Sequence, residues 1–559
     1  MNIFNFFLGR IWFSEDRIST MSAVLFATLG ILAAVIGYQA DYADDIAEAW
    51  TGRATQQTMQ IASTLATGRF DADYGWSQVV RMWSDTTYQA YLASLAGDEP
   101  LKNAYKAVRE KITHLSPIMQ APYFDPTSGL TPNQRQYEAD VYVVKVTRLQ
   151  QEFEFTQSLA DYWGAVSSDY WLLLKILSTA LVLLGLMISL IQQKFIQYAM
   201  WMLVLIIGIY CGIQTVLISQ RPVPTRNSIA MDKVAEGVGW YYQSNFDKAI
   251  SAFDEALALE PDYAEAHVRR GFAYRNSYIY EPTDEKLAIA TADFEAAVAA
   301  GRLEENVVGQ LAELYYLHGQ FEDAIRVLQK GWDDTGAYSY AFALGRTYLV
   351  SGNEEMARTY YDLGIEGAQA AYAEGQAGDV IKLSLLWRAF DLASLELDDL
   401  VRCTTEQFCS QTPTYKLISK PEVVKTVAAE EAKRIKELSV RLEFGLPENG
   451  KPTGTISTMR FEAAPEFTIQ DNVFQEGVLN IKASFDYKNL PDDSTVIVKI
   501  YFNYVEFPPL RHVTTIEKGG TGTHTFDMQP GIENAIYNVS VFVNGILVDQ
   551  PSFTIAQGK

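Results

Sequence analysis

Residues 231–263, MDKVAEGVGWYYQSNFDKAISAFDEALALEPDY, decide how the middle of this chain folds. Gly237 and Trp240 put a small residue and an aromatic where one helix packs on the next. Ala249, Phe253 and Ala256 line the second helix, and Pro261 ends it. The pattern recurs. A second unit has Gly271, Tyr274, Ala290, Phe294 and Ala297, with about seven extra residues around Tyr280-Glu281-Pro282. A third has Ala312, Tyr315, Ala324, Leu328 and Gly331, and a fourth Leu344, Gly345, Tyr348, Ala357, Tyr361 and Gly364. The alanines Ala249, Ala290, Ala324 and Ala357 are 41, 34 and 33 residues apart, which is one period with one insertion. Such a period predicts stacked helix pairs that bury a continuous core only as an array.

Over about residues 230–370 the chain resembles the tetratricopeptide repeat family. That resemblance implies a right-handed superhelix whose first helices line a groove for a protein or peptide partner. Carried over position by position, the groove residues are Val234, Val238, Tyr241 and Tyr242, then Val268, Phe272, Arg275 and Asn276. Tyr316, Phe342 and Arg346 follow from the third and fourth units. Chaperone-binding members clamp a carboxylate with Lys and Asn; Val234 and Val238 stand here instead. Helices from Asp379 to Leu397 read as the cap, so the solenoid is expected over 230–400. Residues 231–370 hold 24 Asp and Glu against 11 Lys and Arg, read as a solvated face, with a basic partner as the sharper alternative.

Toward the N-terminus the composition changes. Ile18–Ala40 and Phe195–Gln220 are uncharged, as is Ile176–Gln193, which extends back through Lys175 to Trp171. Each reaches the roughly 20 residues a helix needs to cross a bilayer. The expected spans are 18–40, 171–193 and 195–220, with residues 1–17 as an interfacial segment. Three crossings place 41–170 and 221–559 on one side. Arg10 and Arg17 precede the first span, against Arg53 after it, favouring an N-terminus inside and extracytoplasmic domains. Arg221, Arg226 and Lys233 after the third span argue the other way. Residues 41–170 read as a helical domain in which Trp76, Trp83, Tyr88, Tyr91 and Leu101 cover two long helices.

Past a loop, helix and linker over 401–454, the hydrophobic period changes to two. Six or seven short strands over 455–559, with Asn544-Gly545 as a type I′ hairpin signal, argue for a β-sandwich. By strand count it resembles bacterial immunoglobulin-like and fibronectin-like surface modules. Cys403 and Cys409 stand six apart in a polar loop and read either as a disulfide or as two unrelated thiols.

The fold class is therefore a multidomain membrane protein: three transmembrane helices, an all-α stalk, an α-solenoid and an all-β sandwich. Its 559 residues carry a net charge of −23, which argues against a general nucleic-acid binder. His114, His267, His318, His512 and His524 share no metal spacing. The stretch 445–451, GLPENGK, lacks the Ser or Thr a phosphate loop needs. No enzyme and no cofactor are expected. The reading is a membrane-anchored interaction scaffold in the cell envelope. Alternatives are an accessory subunit of a larger membrane assembly and a carbohydrate-binding surface protein.

Overall fold

The computed structural model describes residues 15–125, 131–190, 194–281, 283–375, 380–405, 418, 420–447, 454–476, 478, 480–502, 505–506, 508–529 and 535–556. The chain divides into two units, Met1–Asp293 and Phe294–Lys559.

The first unit is built on long helices. Helix α1 (Glu15–Tyr74) is one run of 60 residues, about 90 Å at 1.5 Å per residue. A π-helical turn at Gly75–Val80 passes the chain to α2 (Arg81–Leu95) and α3 (Glu99–Ile112). Asp98 caps α3 by accepting the Leu101 amide at 3.0 Å. A short α4 (Gln134–Glu138) and a second π-turn, Ala139–Val143, lead into α5 (Val144–Leu190), and α6 (Lys194–Ser219) follows. Leu25, Leu29 and Ile36 of α1 pack on Leu173, Leu177 and Leu184 of α5 and on Val204 and Cys211 of α6. A Cβ on Gly208 would strike Leu29, so that glycine lets α6 approach α1, whereas Gly212 faces open space. Among the described residues, three helices, within Thr20–Leu95, Gln134–Leu186 and Ala199–Ser219, are long and apolar enough to cross a membrane.

The two long helices continue beyond their apolar stretches, as the sequence leads one to expect, but their cover differs. Trp83 is buried with Ile112, Ile118, Met119, Phe124 and Tyr137, with Trp76 half-buried beside them. Tyr88, Tyr91 and Leu101 are instead exposed. The inward face of α2 needs only Trp83, Ala90 and Ala93, so its remaining apolar residues turn outward.

Two helix pairs complete this unit: α7 (Ser228–Tyr242) with α8 (Phe246–Leu259), then α9 (Ala264–Tyr280) with α10 (Asp284–Ala299), which crosses the unit boundary. Ala249, Phe253 and Ala256 are fully buried. Any side chain on Gly237 would run into the Phe253 ring. Gly237→Val is therefore expected to cost about 1–3 kcal/mol by overpacking, read as a lower midpoint of thermal unfolding; an unchanged midpoint would refute the close helix crossing.

In the second unit α11 (Glu305–Leu317) pairs with α12 (Phe321–Thr335), and α13 (Tyr338–Ser351) with α14 (Glu354–Gly375). The same economy recurs: a Cβ on Gly331 would meet Tyr340 at 2.8 Å, and one on Gly364 would meet Phe342 at 2.7 Å. The cap is one helix, α15 (Val380–Thr405), completed by α16 (Pro421–Phe444). Leu386, Phe390 and Leu397 of α15 and Val427, Ala428 and Ile435 of α16 enter one core with Leu349, Tyr361 and Ile365.

The β region has two sheets. In one, β5 (Ile481–Leu490) is flanked by β1 (Thr455–Ile456) and β2 (Arg460–Glu462) on one side and by β9 (Gly520–Met528) on the other. The other runs β3 (Thr468–Gln470), β4 (Val473–Gln475), β12 (Ser552–Ala556), β10 (Ala535–Val543), β6 (Ser494–Phe502) and β7 (Val505–Glu506). β8 (His512–Ile516) pairs with β6, and β11 (Ile546–Asp549) with β10. Only β12 and β4 pair in parallel among these strands. Residues of both sheets, such as Phe485 and Val498, share one buried core. Asn544 and Gly545 have φ of 50° and 82°, as a type I′ turn requires.

Candidate functional site

The eleven groove positions fall into three environments. Val234 is fully buried, and Val238 and Phe155 of α5 both pack against the core that holds it. Tyr242 donates its hydroxyl to Glu138 at the end of α4, and burial together with that carboxylate pushes its pKa up. Around them Arg148 pairs with Asp232 and donates to Met231 Sδ at 3.2 Å, and Tyr263 donates to the buried Gln151. A Cβ on Gly239 would meet Val144 at 2.6 Å. Part of the face of α7 that the repeat pattern assigns to a ligand, at Val234 and Val238, thus lies in a core shared with the chain's own α5, while Tyr242 is exposed. Val268 is also buried.

Tyr316, Phe342 and Arg346 are covered in the second unit by the cap. Phe342 lies 6.1 Å from Phe390 of α15, centroid to centroid. Arg346 has a side chain only 12% exposed, with Nη2 2.5 Å from Glu313 and Nη1 2.7 Å from Glu396 of α15. Its guanidinium sits 4.4 Å over the Tyr316 ring. Burial raises the Glu396 carboxyl to about 7 even though Arg346 opposes it; Glu313 and Asp399 push the same way as burial. These side chains fasten the cap to the last helix pairs.

Tyr241, Phe272, Arg275 and Asn276 are half-buried and reachable by solvent. Asn276 Nδ2 donates to the Tyr241 hydroxyl at 2.5 Å, and the Tyr241 ring packs edge-on to Phe246 at 5.6 Å. Tyr241, Tyr242, Ser244, Phe246 and Asn276 line an open cavity of about 350 Å³, closed on one side by Arg135. Arg135 Nη1 donates to Ser244 Oγ at 2.7 Å. Burial raises the Tyr241 pKa, and Arg269 and Arg275 oppose the rise, so positive charge stands near that hydroxyl. Arg135 has no groove signature, because it comes from a helix 109 residues from Ser244 in sequence. Only the lone Arg among polar residues at 133–136 could have marked it.

A second cluster fixes the sandwich to α16. Lys499 of β6 is 1% exposed, with Nζ 2.5 Å from Glu443 and 3.1 Å from Glu506. Arg511 reaches Glu443 at 2.9 Å and also pairs with Glu506. Asp391 of α15 is raised to about 7, chiefly by burial and then by Glu506 and Glu443, against Lys499 and Arg511. Val440, Ile497 and Phe542 form a small apolar core beside these ions, and Glu437 Oε1 accepts the Leu547 amide at 3.1 Å. The linker expected at the end of 401–454 is therefore short-circuited by direct packing; residues 448–453 lie outside the described residues. Cys403 is disulfide-bonded, and Cys409 lies outside the described residues.

No curated protein matches the chain. Among solved structures it is similar to the Pseudomonas fluorescens alkylpurine DNA glycosylase AlkC bound to DNA containing an abasic site analog, at 10% identity over 62% of this chain and 91% of that one. The TM-score of 0.22 is too low for that likeness to bear on fold or activity. Residues 241–276 match the model of the TPR repeat. They span from the end of α7 through α8 into α9, one period of the helix-pair pattern that the sequence repeats.

Proposed function

We propose that this chain is a membrane-anchored scaffold for protein–protein interaction, with its repeats and β-sandwich on the extracytoplasmic side. The single observation that supports it most is a TPR-repeat match whose groove residues Tyr241, Phe272, Arg275 and Asn276 stay open to solvent beside α5. Anchoring is supported by the outward-facing apolar side chains of the three long helices, among them Ile31, Val35, Val182, Ile206, Ile209 and Ile213. Sidedness rests on Arg10 and Arg17 before the first apolar stretch. The β-sandwich is taken as an immunoglobulin-like surface module. Binding is by equilibrium burial of an apolar or aromatic segment, with the anchor raising local concentration at the membrane.

Photo-crosslinking residues placed at Tyr241 and Phe272 in the full-length chain are expected to capture one saturable partner. Crosslinks that stay within the chain would overturn the scaffold reading. External protease on sealed cells is expected to remove the region after Gln220; protection until lysis would reverse the orientation.

A second reading, an accessory subunit of a larger membrane assembly, is favoured by one observation. Val234, Val238, Tyr316, Phe342 and Arg346 are already occupied by the chain's own helices. On this reading the repeats are packing faces, and a partner would be retained only in the intact complex.

A further inference from the structure

Two histidines with no motif spacing meet at one flank of the β-sandwich. His512 opens β8, in register with Val498 of β6 in the larger sheet. His524 lies in β9, in register with Phe485 of β5 in the other sheet. The two sheets close so that His512 Nε2 and His524 Nε2 stand 3.0 Å apart. Both rings are braced: His512 stacks on Phe526 at 3.9 Å and 1°, and His524 leans on Phe485 at 5.4 Å. Each is half-buried, so one side of the pair is open to water.

We propose that His512 and His524 form a two-imidazole chelate for a late first-row divalent metal ion, with Cu(II) the strongest binder. The distances favour it. With metal–nitrogen bonds of about 2.0–2.1 Å, nitrogens 3.0 Å apart subtend about 94° at the metal. That is a cis angle of square-planar or octahedral coordination, the geometry Cu(II) and Ni(II) prefer. Cu(II) also heads the affinity order for nitrogen ligands. Among the described residues no group of three or more His, Cys, Asp or Glu converges on a metal position. Water therefore fills the remaining positions, and the site takes up an exchangeable ion.

Without metal, one Nε2–H donates to the lone pair of the other Nε2. Metal binding needs both lone pairs, so the bridging proton moves to Nδ1 of its own ring. Both rings stay neutral and no other bond changes. The ring centroids are 5.2 Å apart, so the two Nε2 atoms face each other nearly head-on, and each ring must turn against its aromatic neighbour to bring both lone pairs onto the ion.

The test is titration of the metal-stripped full-length chain in detergent with copper(II) sulfate, followed by calorimetry and electron paramagnetic resonance. One equivalent is expected, with splitting from two imidazole nitrogens that changes on ¹⁵N-histidine labelling. His512→Gln and His524→Gln are each expected to weaken binding about tenfold or more and to leave one nitrogen coupled. A parent spectrum with one nitrogen or none would overturn the proposal, whatever the folding of the variants. So would unchanged affinity in both.

Discussion

Arg346→Ala is expected to lower the stability of the second unit by about 3 kcal/mol, the cost of taking a nearly buried cation from two half-buried carboxylates. Glu313 and Glu396 both point at this guanidinium, and Tyr316 lies under it. The loss should appear as faster amide exchange in α13 and α15 together, because the residue ties one to the other. Arg346→Met combined with Glu396→Leu is expected to recover much of the loss, since apolar residues of similar volume replace buried ion pairs at little cost. A single Arg346→Ala change below about 1 kcal/mol would mean that the cluster is solvated.

Lys499→Ala is the second large effect, about 3–5 kcal/mol. It strands Glu443 of α16 and Glu506 of β7 around a position 1% exposed to solvent. Arg511 stays within reach of both carboxylates and sets a floor under the damage. The expected signature is protease sensitivity between α16 and the sandwich while the sandwich itself remains folded on its own core. Loss of the sandwich's internal protection as well would show that Lys499 stabilises the sheets and not their docking.

The same region sets a pH dependence. Asp391 and Glu396 both sit near 7 in the fold, far above the unfolded carboxylate range. Between about pH 4 and pH 7 the folded state holds protons that the unfolded chain has released, so stability falls as pH rises through that window and levels off above it. Asp391→Asn, measured by thermal unfolding, should gain more at pH 8 than at pH 5. An equal change at both would exclude a raised Asp391.

Much of the architecture is legible in local pattern. The repeat alanines and glycines are set by the distance at which two helices cross, and Gly237, Ala249 and Phe253 occupy the buried positions their spacing assigns. Asn544-Gly545 encodes its own turn, because few other pairs adopt two positive φ angles. The groove was legible only as a face. Whether a partner or the chain itself fills that face depends on Phe155, Gln151 and Arg148, which lie about 80 to 110 residues away and match no repeat.

Three apolar helices, a helix-pair repeat and a region of alternating strands can all be read from the chain's order of residues, since periodicity and run length are properties of neighbours along it. That α5 packs into the first repeat, that Arg346 is a fastening and that His512 meets His524 emerge only once the chain is folded. Those contacts join residues on different helices or in different sheets, and no spacing along the chain encodes them.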